Sequence, residues 1–379
     1  MKRILTLLIM ITLIATSVFG GTSVHAEIEA DAISVILIEA TTGKVLYEDN
    51  ADEKLPPASV TKVMTMLLVM EAIDSGVIKL DETVTVSEHA ASMGGSQIFL
   101  EVGEQMSVED MLKSVVIASA NDAACALAEH ISGSHDAFVD KMNERAKQLG
   151  MVNTHFENTN GLDDTTENHL TSARDIAIMS AELIVQHPAI LEYSSTWQDT
   201  IRNGEFTLSN TNRLIRFYNG ANGLKTGSTS KAKFCISASA CRDGLQLIAV
   251  VMGSSTRDNR NATAKALLDY GFANYSYTQK EAKDDIIIKI NKGKASQIRA
   301  GYGKYCEVIP KGKADKITTE YLIPESIEAP VRAGDVIGKI TYTLDGQLIG
   351  EQEVYALEDA EKMTWGELFI RYIKKYCLM

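Results

Sequence analysis

The stretch that most constrains how this chain can fold is Pro56-Pro57-Ala58-Ser59-Val60-Thr61-Lys62. It leads directly into residues with the spacing of one apolar helical face, namely Val63, Met66, Leu67 and Met70. Two prolines suit the approach to a helix because they donate no backbone hydrogen bond. We therefore expect Ser59 in the first helical turn, with Lys62 three residues later over the same face.

A serine and a lysine in this arrangement have a specific chemical use. Unpaired N–H groups of the first turn can hold a developing oxyanion, and a deprotonated lysine amine can take the hydroxyl proton. The same two residue types also meet at this spacing by chance roughly once in a chain this long. In that case Ser59 is only an N-cap and Lys62 a solvated residue, so the rest of the chain has to decide.

The N-terminus has the pattern of an export signal. Lys2 and Arg3 precede an apolar run from Ile4 to Phe19, and small residues follow up to a cleavage site at Val24-His25-Ala26. A retained membrane helix is the alternative, but the run is short for a bilayer span and ends in Gly-Gly-Thr-Ser. We therefore predict a signal peptide over residues 1–26 and a mature chain that works outside the cytoplasm.

Charge and cysteine content exclude several classes of function. The formal net charge of −13 becomes more negative by two without Lys2 and Arg3, which argues against nucleic acid as a partner. Five cysteines leave at least one unpaired, and Cys235 and Cys241 lie too far apart along one predicted strand to form a bridge. The other three show no metal-ligand spacing with the seven histidines, so we expect no metal site and no cofactor.

The order of predicted elements indicates an antiparallel sheet with helices around it. Two β-type runs, residues 33–39 and 44–47, flank a glycine turn and form a hairpin. After the Ser59 helix, an apolar helical pattern over residues 108–116 ends at Ser119-Ala120-Asn121, and another helix follows over residues 123–131. Ser119 and Asn121 could be simple helix caps, or a hydroxyl and a carboxamide that point into one site.

A third polar motif lies at a predicted sheet edge. Lys225-Thr226-Gly227-Ser228 precedes the strand over residues 234–240, which turns into a second strand over residues 245–252. Glycine at an edge position lets a substrate backbone approach closely. We therefore expect this motif to line the same site as Ser59.

Taken in order, Ser59-x-x-Lys62, Ser119-x-Asn121 and Lys225-Thr226-Gly227 resemble the three motifs of the penicillin-binding and serine β-lactamase group. The closer resemblance, over nearly the whole mature chain, is to the D-alanyl-D-alanine carboxypeptidases of the low-molecular-mass penicillin-binding class. It implies an α/β fold: an antiparallel sheet flanked by helices, an all-α subdomain, a small all-β domain and a C-terminal amphipathic helix.

The resemblance also implies a role for each matching residue. Ser59 is the expected nucleophile, Lys62 its base, and Ser119 a proton relay toward the leaving D-alanine. Asn121 would hold the substrate backbone, Lys225 would lower the pKa of Lys62, and the N–H groups of Ser59 and Ser228 would form the oxyanion hole. The substrate carboxylate would bind Thr226 and Arg260, while Gly227 admits the substrate chain. This chain departs from several relatives in having Ser228 and Asn160 where they have histidine.

The C-terminal third has a different pattern. From about Lys283, short alternating strands follow one another without a helix, which predicts a separate β domain. The expected organisation is thus a signal peptide at 1–26, a catalytic domain at 27–282, a β domain at 283–357 and a tail at 358–379. The tail has one apolar stripe on a helix, made of Trp365, Leu368, Phe369, Tyr372, Ile373 and Tyr376.

Two interpretations of that tail remain open. From residue 362 onward it holds four cations and one acid, which favours an in-plane anchor on an anionic membrane surface, at the outer face of the cytoplasmic membrane. The alternative is a closing helix that packs on the β domain. Eighteen residues with several charges are too few to span a bilayer.

The sequence thus predicts a serine-type D-Ala-D-Ala carboxypeptidase that trims peptidoglycan stem pentapeptides and is acylated by β-lactams at Ser59. A serine β-lactamase is one alternative, but no Glu-x-x-Leu-Asn run supplies the second base that fast deacylation needs. A β-lactam or muropeptide sensor that does not turn over is the other, although no cytoplasmic signalling segment is visible.

Overall fold

The computed structural model describes residues 28–377, with side chains up to residue 374. The predicted signal peptide therefore lies outside the described residues. The part of the chain that the sequence predicts to be catalytic, called the catalytic part below, is built on a five-stranded antiparallel sheet with the strand order β2-β1-β9-β8-β7. Its strands are β1 (Ser34–Glu39), β2 (Val45–Asp49), β7 (Ala221–Thr229), β8 (Lys233–Arg242) and β9 (Leu245–Ser254). The predicted hairpins are confirmed, and β7 with its Lys-Thr-Gly motif lies at the sheet edge.

Helices cover both faces of this sheet. The described helices are α1 (Lys62–Asp74), α2 (Glu88–Ala91), α3 (Val108–Ile117), α4 (Asn121–Ser132), α5 (His135–Gln148), α6 (Ala173–Gln186), α7 (Ile190–Ser194), α8 (Leu214–Phe217), α9 (Arg257–Asn274) and α10 (Trp365–Cys377). Alternate residues of β1 face opposite sides. Ile36 and Ile38 meet α6 on one side, whereas Leu37 approaches Gly271 of α9 on the other.

Helix α1 is the centre of the helical subdomain. The sequence predicted one apolar face, but the structure buries residues on every side of this helix, including Met64, Thr65 and Val69. Helices α3, α4, α5 and α6 pack around it, so most of α1 is buried and only its last turn, which ends at the exposed Asp74, reaches solvent. Lys62 at its first position is therefore buried with the rest.

Short hairpins complete the catalytic part. Strand β3 (Thr83–Thr85) pairs with β4 (Gln105–Ser107), and β5 (Gln198–Ile201) pairs with β6 (Phe206–Ser209). The chain between β3 and β4 carries α2 and a loop that runs from Ser92 to Leu100. Backbone bonds join this loop to α4, because Asn121 N donates to Ser96 O at 2.7 Å.

The C-terminal part is all β up to α10. A six-stranded sheet has the order β14-β16-β17-β12-β11-β15, and a two-stranded sheet joins β10 and β13. The strands are β10 (Tyr275–Lys280), β11 (Lys283–Asn291), β12 (Gln297–Tyr302), β13 (Tyr305–Pro310), β14 (Ile317–Leu322), β15 (Ser326–Glu328), β16 (Val336–Leu344) and β17 (Gln347–Ala356). Strand β10, which the predicted boundary at residue 282 leaves in the first domain, pairs with β13 of the second.

The last helix, α10, exposes most of its apolar side chains. Trp365 is 81% exposed, and Phe369, Ile370, Tyr372 and Ile373 are exposed as well. A side-chain hydrogen bond joins the helix to the β domain, because Arg371 donates to Gly293 O at 3.0 Å. Among residues 28–377, no helix is both long and apolar enough to cross a membrane.

Candidate active site

Ser59 lies on a short 3-10 turn, Ala58–Thr61, that joins the two prolines to α1. Lys62 is the first residue of α1, and its Nζ lies 3.0 Å from Ser59 Oγ. The predicted pair is therefore within hydrogen-bonding distance. Lys62 is fully buried, which rules out the alternative of a solvated first-turn lysine.

Two oxygen atoms hold the amine of Lys62 in place. Nζ donates to Asn121 Oδ1 at 2.5 Å and to the backbone carbonyl of Asn160 at 2.9 Å. Both oxygens can only accept. A neutral amine has two N–H groups and one lone pair, so these two contacts use its donors and leave the lone pair for the hydroxyl of Ser59.

The surroundings favour that neutral form of the lysine. Burial lowers the pKa of Lys62 well below its ordinary value, the cation of Lys225 lowers it further, and Asp122 opposes the shift. Lys225 is itself fully buried, and burial together with Arg260 lowers its pKa to about 7. The second lysine thus acts on the first in the direction that the sequence predicted.

Two glycines allow the backbone contacts on which the site depends. Gly161 has φ +83°, and a Cβ there would lie 1.8 Å from the carbonyl oxygen of Ala58. A Cβ on Gly227 would lie 2.8 Å from the backbone nitrogen of Ser59 and 2.9 Å from Pro57 O. Both positions therefore require glycine: one brings the Asn160 carbonyl to Lys62, and the other brings β7 against the turn that carries Ser59.

Two other residues of the site hold a backbone conformation that side chains rarely adopt. Ala58 has φ 49° and Ser119 has φ 64°. Such conformations cost on the order of 1–3 kcal/mol each and persist only where the surroundings enforce them. Here one strained residue directly precedes Ser59, and the other begins the Ser119-x-Asn121 motif.

A cavity of about 210 Å³ opens beside Ser59 Oγ. It is lined by Ser59, Ser96, Ser119, Thr211, Thr226, Gly227, Ser228, Arg257 and Arg260. Six of these nine residues were predicted from the sequence, and the other three predicted residues, Lys62, Asn121 and Lys225, are buried. The structure thus brings all three motifs to one place.

Three lining residues were missed, each for a different reason. Ser96 belongs to the loop after α2 and has no motif of its own. Thr211 reaches the site through its hydroxyl, which accepts a 2.8 Å hydrogen bond from Thr226 Oγ1. Arg257 could have been found, because it stands one helical turn before Arg260 at the start of α9.

Arg260 is held more firmly than a surface guanidinium. It is 3% exposed, donates to Cys235 O at 3.3 Å and contacts Asn261 Oδ1 through Nε at 3.1 Å. Burial and the nearby Arg257 lower its pKa to about 10, so it stays cationic at neutral pH. Two guanidinium groups therefore face a cavity whose described lining residues include no carboxylate.

Asn121 is hydrogen-bonded within the protein at both ends of its carboxamide. Its Oδ1 accepts from Lys62, and its Nδ2 donates to Gly94 O at 2.7 Å. Both ends of the carboxamide thus have partners within the protein. Outside the cavity, one helical turn further along α4, Cys125 and Glu129 lie beside His89 and form a group of possible metal ligands.

Comparison with known families identifies two matching regions. Residues 21–256 match the family described as D-alanyl-D-alanine carboxypeptidase, and residues 275–362 match the C-terminal domain of penicillin-binding protein 5. The two matches follow each other along the chain without overlap. The second begins at the first residue of β10.

Individual relatives agree with these matches. The D-alanyl-D-alanine carboxypeptidase DacF of Bacillus subtilis is 43% identical over 387 residues, which is 99% of this chain and 98% of the relative. The solved structure of penicillin binding protein 5 from Haemophilus influenzae is 34% identical, has a TM-score of 0.78, and is matched over 88% of this chain and 98% of its own.

A third relative was solved with an antibiotic. Penicillin-Binding Protein D2 from Listeria monocytogenes, in its ampicillin-bound form, is 32% identical with a TM-score of 0.59. The match covers 64% of this chain and 98% of that protein. Its ligand belongs to the β-lactam class.

Proposed function

Because the chain belongs to the D-alanyl-D-alanine carboxypeptidase family, we propose that it removes the terminal D-alanine from peptidoglycan stem pentapeptides through an acyl-enzyme on Ser59. The observation that carries this assignment is the position of Lys62 Nζ, 3.0 Å from Ser59 Oγ, with both of its N–H groups directed at other acceptors. A base without a free donor is suited to take the hydroxyl proton.

In the acylation step, Lys62 accepts the proton of Ser59 as Oγ attacks the carbonyl carbon between the two D-alanines. The negative charge that forms on the carbonyl oxygen is held by the N–H groups of Ser59 and Ser228. The backbones of Gly227 and Ser59 lie so close that a Cβ added to Gly227 would be 2.8 Å from Ser59 N. This closeness supports an oxyanion hole formed by N–H groups from the two segments. The C–N bond then breaks, and the proton passes from Lys62 through Ser119 to the leaving amine.

Deacylation reverses these roles with water in place of the amine. Lys62 takes a proton from water, the hydroxide attacks the ester carbonyl, and the Ser59 oxygen leaves and regains its proton. The products are the shortened peptide and the free enzyme. In this cycle Asn121 acts by positioning Lys62, because its carboxamide oxygen accepts a 2.5 Å hydrogen bond from the lysine amine.

The substrate carboxylate belongs at the cationic end of the cavity. Thr226, Arg257 and Arg260 line it, and the cation of Arg260 is fixed by its bond to Cys235 O. Charge-assisted hydrogen bonds to a carboxylate are about twice as strong as neutral ones. This end of the cavity therefore selects peptides with a free C-terminus.

β-Lactams would acylate the same serine, in keeping with the ampicillin-bound relative. The β-lactamase alternative is disfavoured because no described lining residue is a carboxylate that could activate the deacylating water. A sensor would be acylated once and would not turn over, so the assay of D-alanine release described below distinguishes it from an enzyme.

We also place the enzyme at the outer face of the cytoplasmic membrane, with α10 as a peripheral anchor. The exposed side chains of Trp365, Phe369 and Ile373 support this, because a helix that packed on the β domain would bury them. The cations of the tail would face anionic lipid.

The deciding experiment measures D-alanine released from a peptide that ends in D-Ala-D-Ala. The proposal predicts many turnovers per enzyme and none in Ser59→Ala. A sensor would release at most one equivalent, and a β-lactamase would hydrolyse penicillin repeatedly while it left the peptide intact. Either of these outcomes would replace the assignment.

A further inference from the structure

Three side chains of metal-ligating type meet between α2 and α4, the helix that begins with Asn121. Cys125 and Glu129 lie one turn apart on α4, and His89 reaches them from α2. Cys125 Sγ is 3.4 Å from His89 Nδ1 and 3.6 Å from Glu129 Oε1, and the last two atoms are 2.8 Å apart. Nothing in the catalytic cycle uses this group.

These distances are close to those around a tetrahedral zinc ion. With metal–ligand bonds of about 2.0–2.3 Å, the sulfur, nitrogen and oxygen atoms at the corners of the tetrahedron are separated by roughly 3.3–3.6 Å. The two distances from the sulfur already match. The shorter nitrogen–oxygen distance needs to open by only about 0.5 Å, which a partly exposed histidine and glutamate can provide.

We propose that His89, Cys125 and Glu129 bind one Zn²⁺ ion, with water as the fourth ligand. The donor set of one thiolate, one imidazole and one carboxylate suits Zn²⁺ and excludes Mg²⁺ and Ca²⁺, which take oxygen ligands. The side chain of His89 is half exposed, so solvent reaches the group from the histidine side.

A neighbouring side chain orients one ligand in the way that metal sites require. Ser87 Oγ donates to Glu129 Oε2 at 2.5 Å, which leaves the other oxygen, Oε1, toward His89 and Cys125. Hydrogen bonds of this kind fix ligand orientation in protein metal sites. Ser87 Oγ also accepts a hydrogen bond from Ala90 N as the N-cap of α2. The same hydroxyl therefore contacts both the helix that carries His89 and the carboxylate of Glu129.

Metal binding at this site exchanges protons. The buried thiol of Cys125 is protonated without the ion, because burial and Glu129 raise its pKa. Zn²⁺ binding forms the Zn–S bond and releases the thiol proton to solvent, while His89 binds as the neutral imidazole through Nδ1.

The site would join two elements of the active-site wall. Helix α2 continues into the loop that contains Gly94 and Ser96, and both of these residues accept hydrogen bonds from Asn121. Cys125 is one turn after Asn121 on α4. An ion shared by His89 and α4 would therefore hold this loop against the residue that positions Lys62.

The test adds Zn²⁺ or Co²⁺ to the purified, chelator-treated protein. We expect one equivalent of Zn²⁺ by elemental analysis after gel filtration, a higher thermal unfolding temperature, and a sulfur-to-cobalt charge-transfer band with Co²⁺. Cys125→Ser should remove that band, and Cys125→Ser and His89→Ala should each weaken Zn²⁺ binding at least 10-fold, as loss of even an outer orienting group does in other sites.

His130→Ala is the matched control, because His130 lies on the same helix and pairs with Glu82 at 2.9 Å without a nearby thiol. It should bind Zn²⁺ as the wild type does. Circular dichroism of each variant confirms that it is folded. The proposal is wrong if the wild type takes up no ion from one equivalent of Zn²⁺, or if Cys125→Ser and His130→Ala bind it equally; the cluster is then only a hydrogen-bonded cap.

Discussion

Lys62 Nζ lies 3.0 Å from Ser59 Oγ, while the other two oxygens that it contacts, Asn121 Oδ1 and Asn160 O, can only accept hydrogen bonds. The amine is therefore oriented with its lone pair toward the hydroxyl. Geometry and electrostatics act in the same direction here, because burial and the nearby Lys225 also lower the pKa of this lysine.

The first prediction tests whether Lys62 acts as a proton acceptor or only as a positive charge. Lys62→Arg carries a positive charge that it cannot lose, so it should slow the acylation of Ser59 by a fluorescent penicillin about 10²- to 10⁴-fold, the usual contribution of a general base. Stopped-flow labelling measures this rate. Ser59→Ala should abolish labelling altogether, and labelling that persists in Ser59→Ala would place the nucleophile elsewhere.

The second prediction concerns the stability of the fold as pH rises. Lys225 has a pKa of about 7 when buried and its ordinary value of 10.5 when unfolded. Between these values the unfolded chain binds the extra proton, so the free energy of unfolding should rise with pH, by up to about 1.4 kcal/mol per pH unit for this one group.

Urea denaturation at pH 7, 8 and 9 measures that slope. Lys225→Met removes the titrating group but keeps a side chain of similar length. The free energy of unfolding of this variant should therefore rise less steeply with pH than that of the wild type. If the two proteins had the same slope, Lys225 would be charged in the folded state, contrary to its burial.

The third prediction tests which arginine holds the substrate carboxylate. Arg260→Leu should lower kcat/KM for a peptide with a free C-terminus roughly 10- to 150-fold, from a charged hydrogen bond of about 1.5–3 kcal/mol. For a C-terminally amidated peptide, the same substitution should lower kcat/KM much less. Arg257→Leu is the comparison, because Arg257 lines the same cavity but is exposed. Equal losses on both peptides would mean that Arg260 is only structural.

The fourth prediction concerns the glycine that brings the Asn160 carbonyl to Lys62. A methyl group in Gly161→Ala would meet backbone, at 1.8 Å from Ala58 O, and should displace the nucleophile turn. We expect a large loss of penicillin labelling together with lower thermal stability. Gly150→Ala is matched in backbone, with φ +73° and no atom within 4 Å, so it should cost only the left-handed conformation, about 1–2 kcal/mol.

Labelling by Gly150→Ala should therefore stay close to that of the wild type. If Gly161→Ala labelled equally well, the close contact would relax without cost, and the Asn160 carbonyl would not be needed at its present position.

The fifth prediction concerns the proposed anchor. The chain should be cut after Met363, because the backbone of residues 361–363 bonds to residues 292 and 294 of the β domain. The shortened enzyme should keep full activity and stop sedimenting with anionic vesicles. The intact protein should bind them less well at high salt.

A variant that keeps the helix provides the control. Phe369→Glu places a charge on the exposed apolar stripe and should also reduce vesicle binding. If the truncated enzyme instead unfolds at a lower temperature and the intact enzyme never binds vesicles, α10 is a closing helix of the β domain.

Much of this protein follows from short-range sequence patterns. Helices α3 and α4, the hairpins and the edge strand β7 agree with the predicted elements, because period, turn residues and caps act over a few positions. The Ser59–Lys62 contact is equally local, since a helical turn brings residues three apart together. The chemistry of the site could thus be read from residues that are neighbours in the chain.

Other features depend on contacts between distant segments, which no local pattern encodes. The burial of most of α1 results from packing by four other helices, and the burial of Lys62 at its start lowers the pKa of that lysine. The Asn160 carbonyl reaches Lys62 from 98 residues away, through a backbone atom that every residue possesses. His89 meets Cys125 across 36 residues. The sequence by itself determined which groups are present and their local geometry, whereas the tertiary structure decided their neighbours and solvation, because burial and charge act through space.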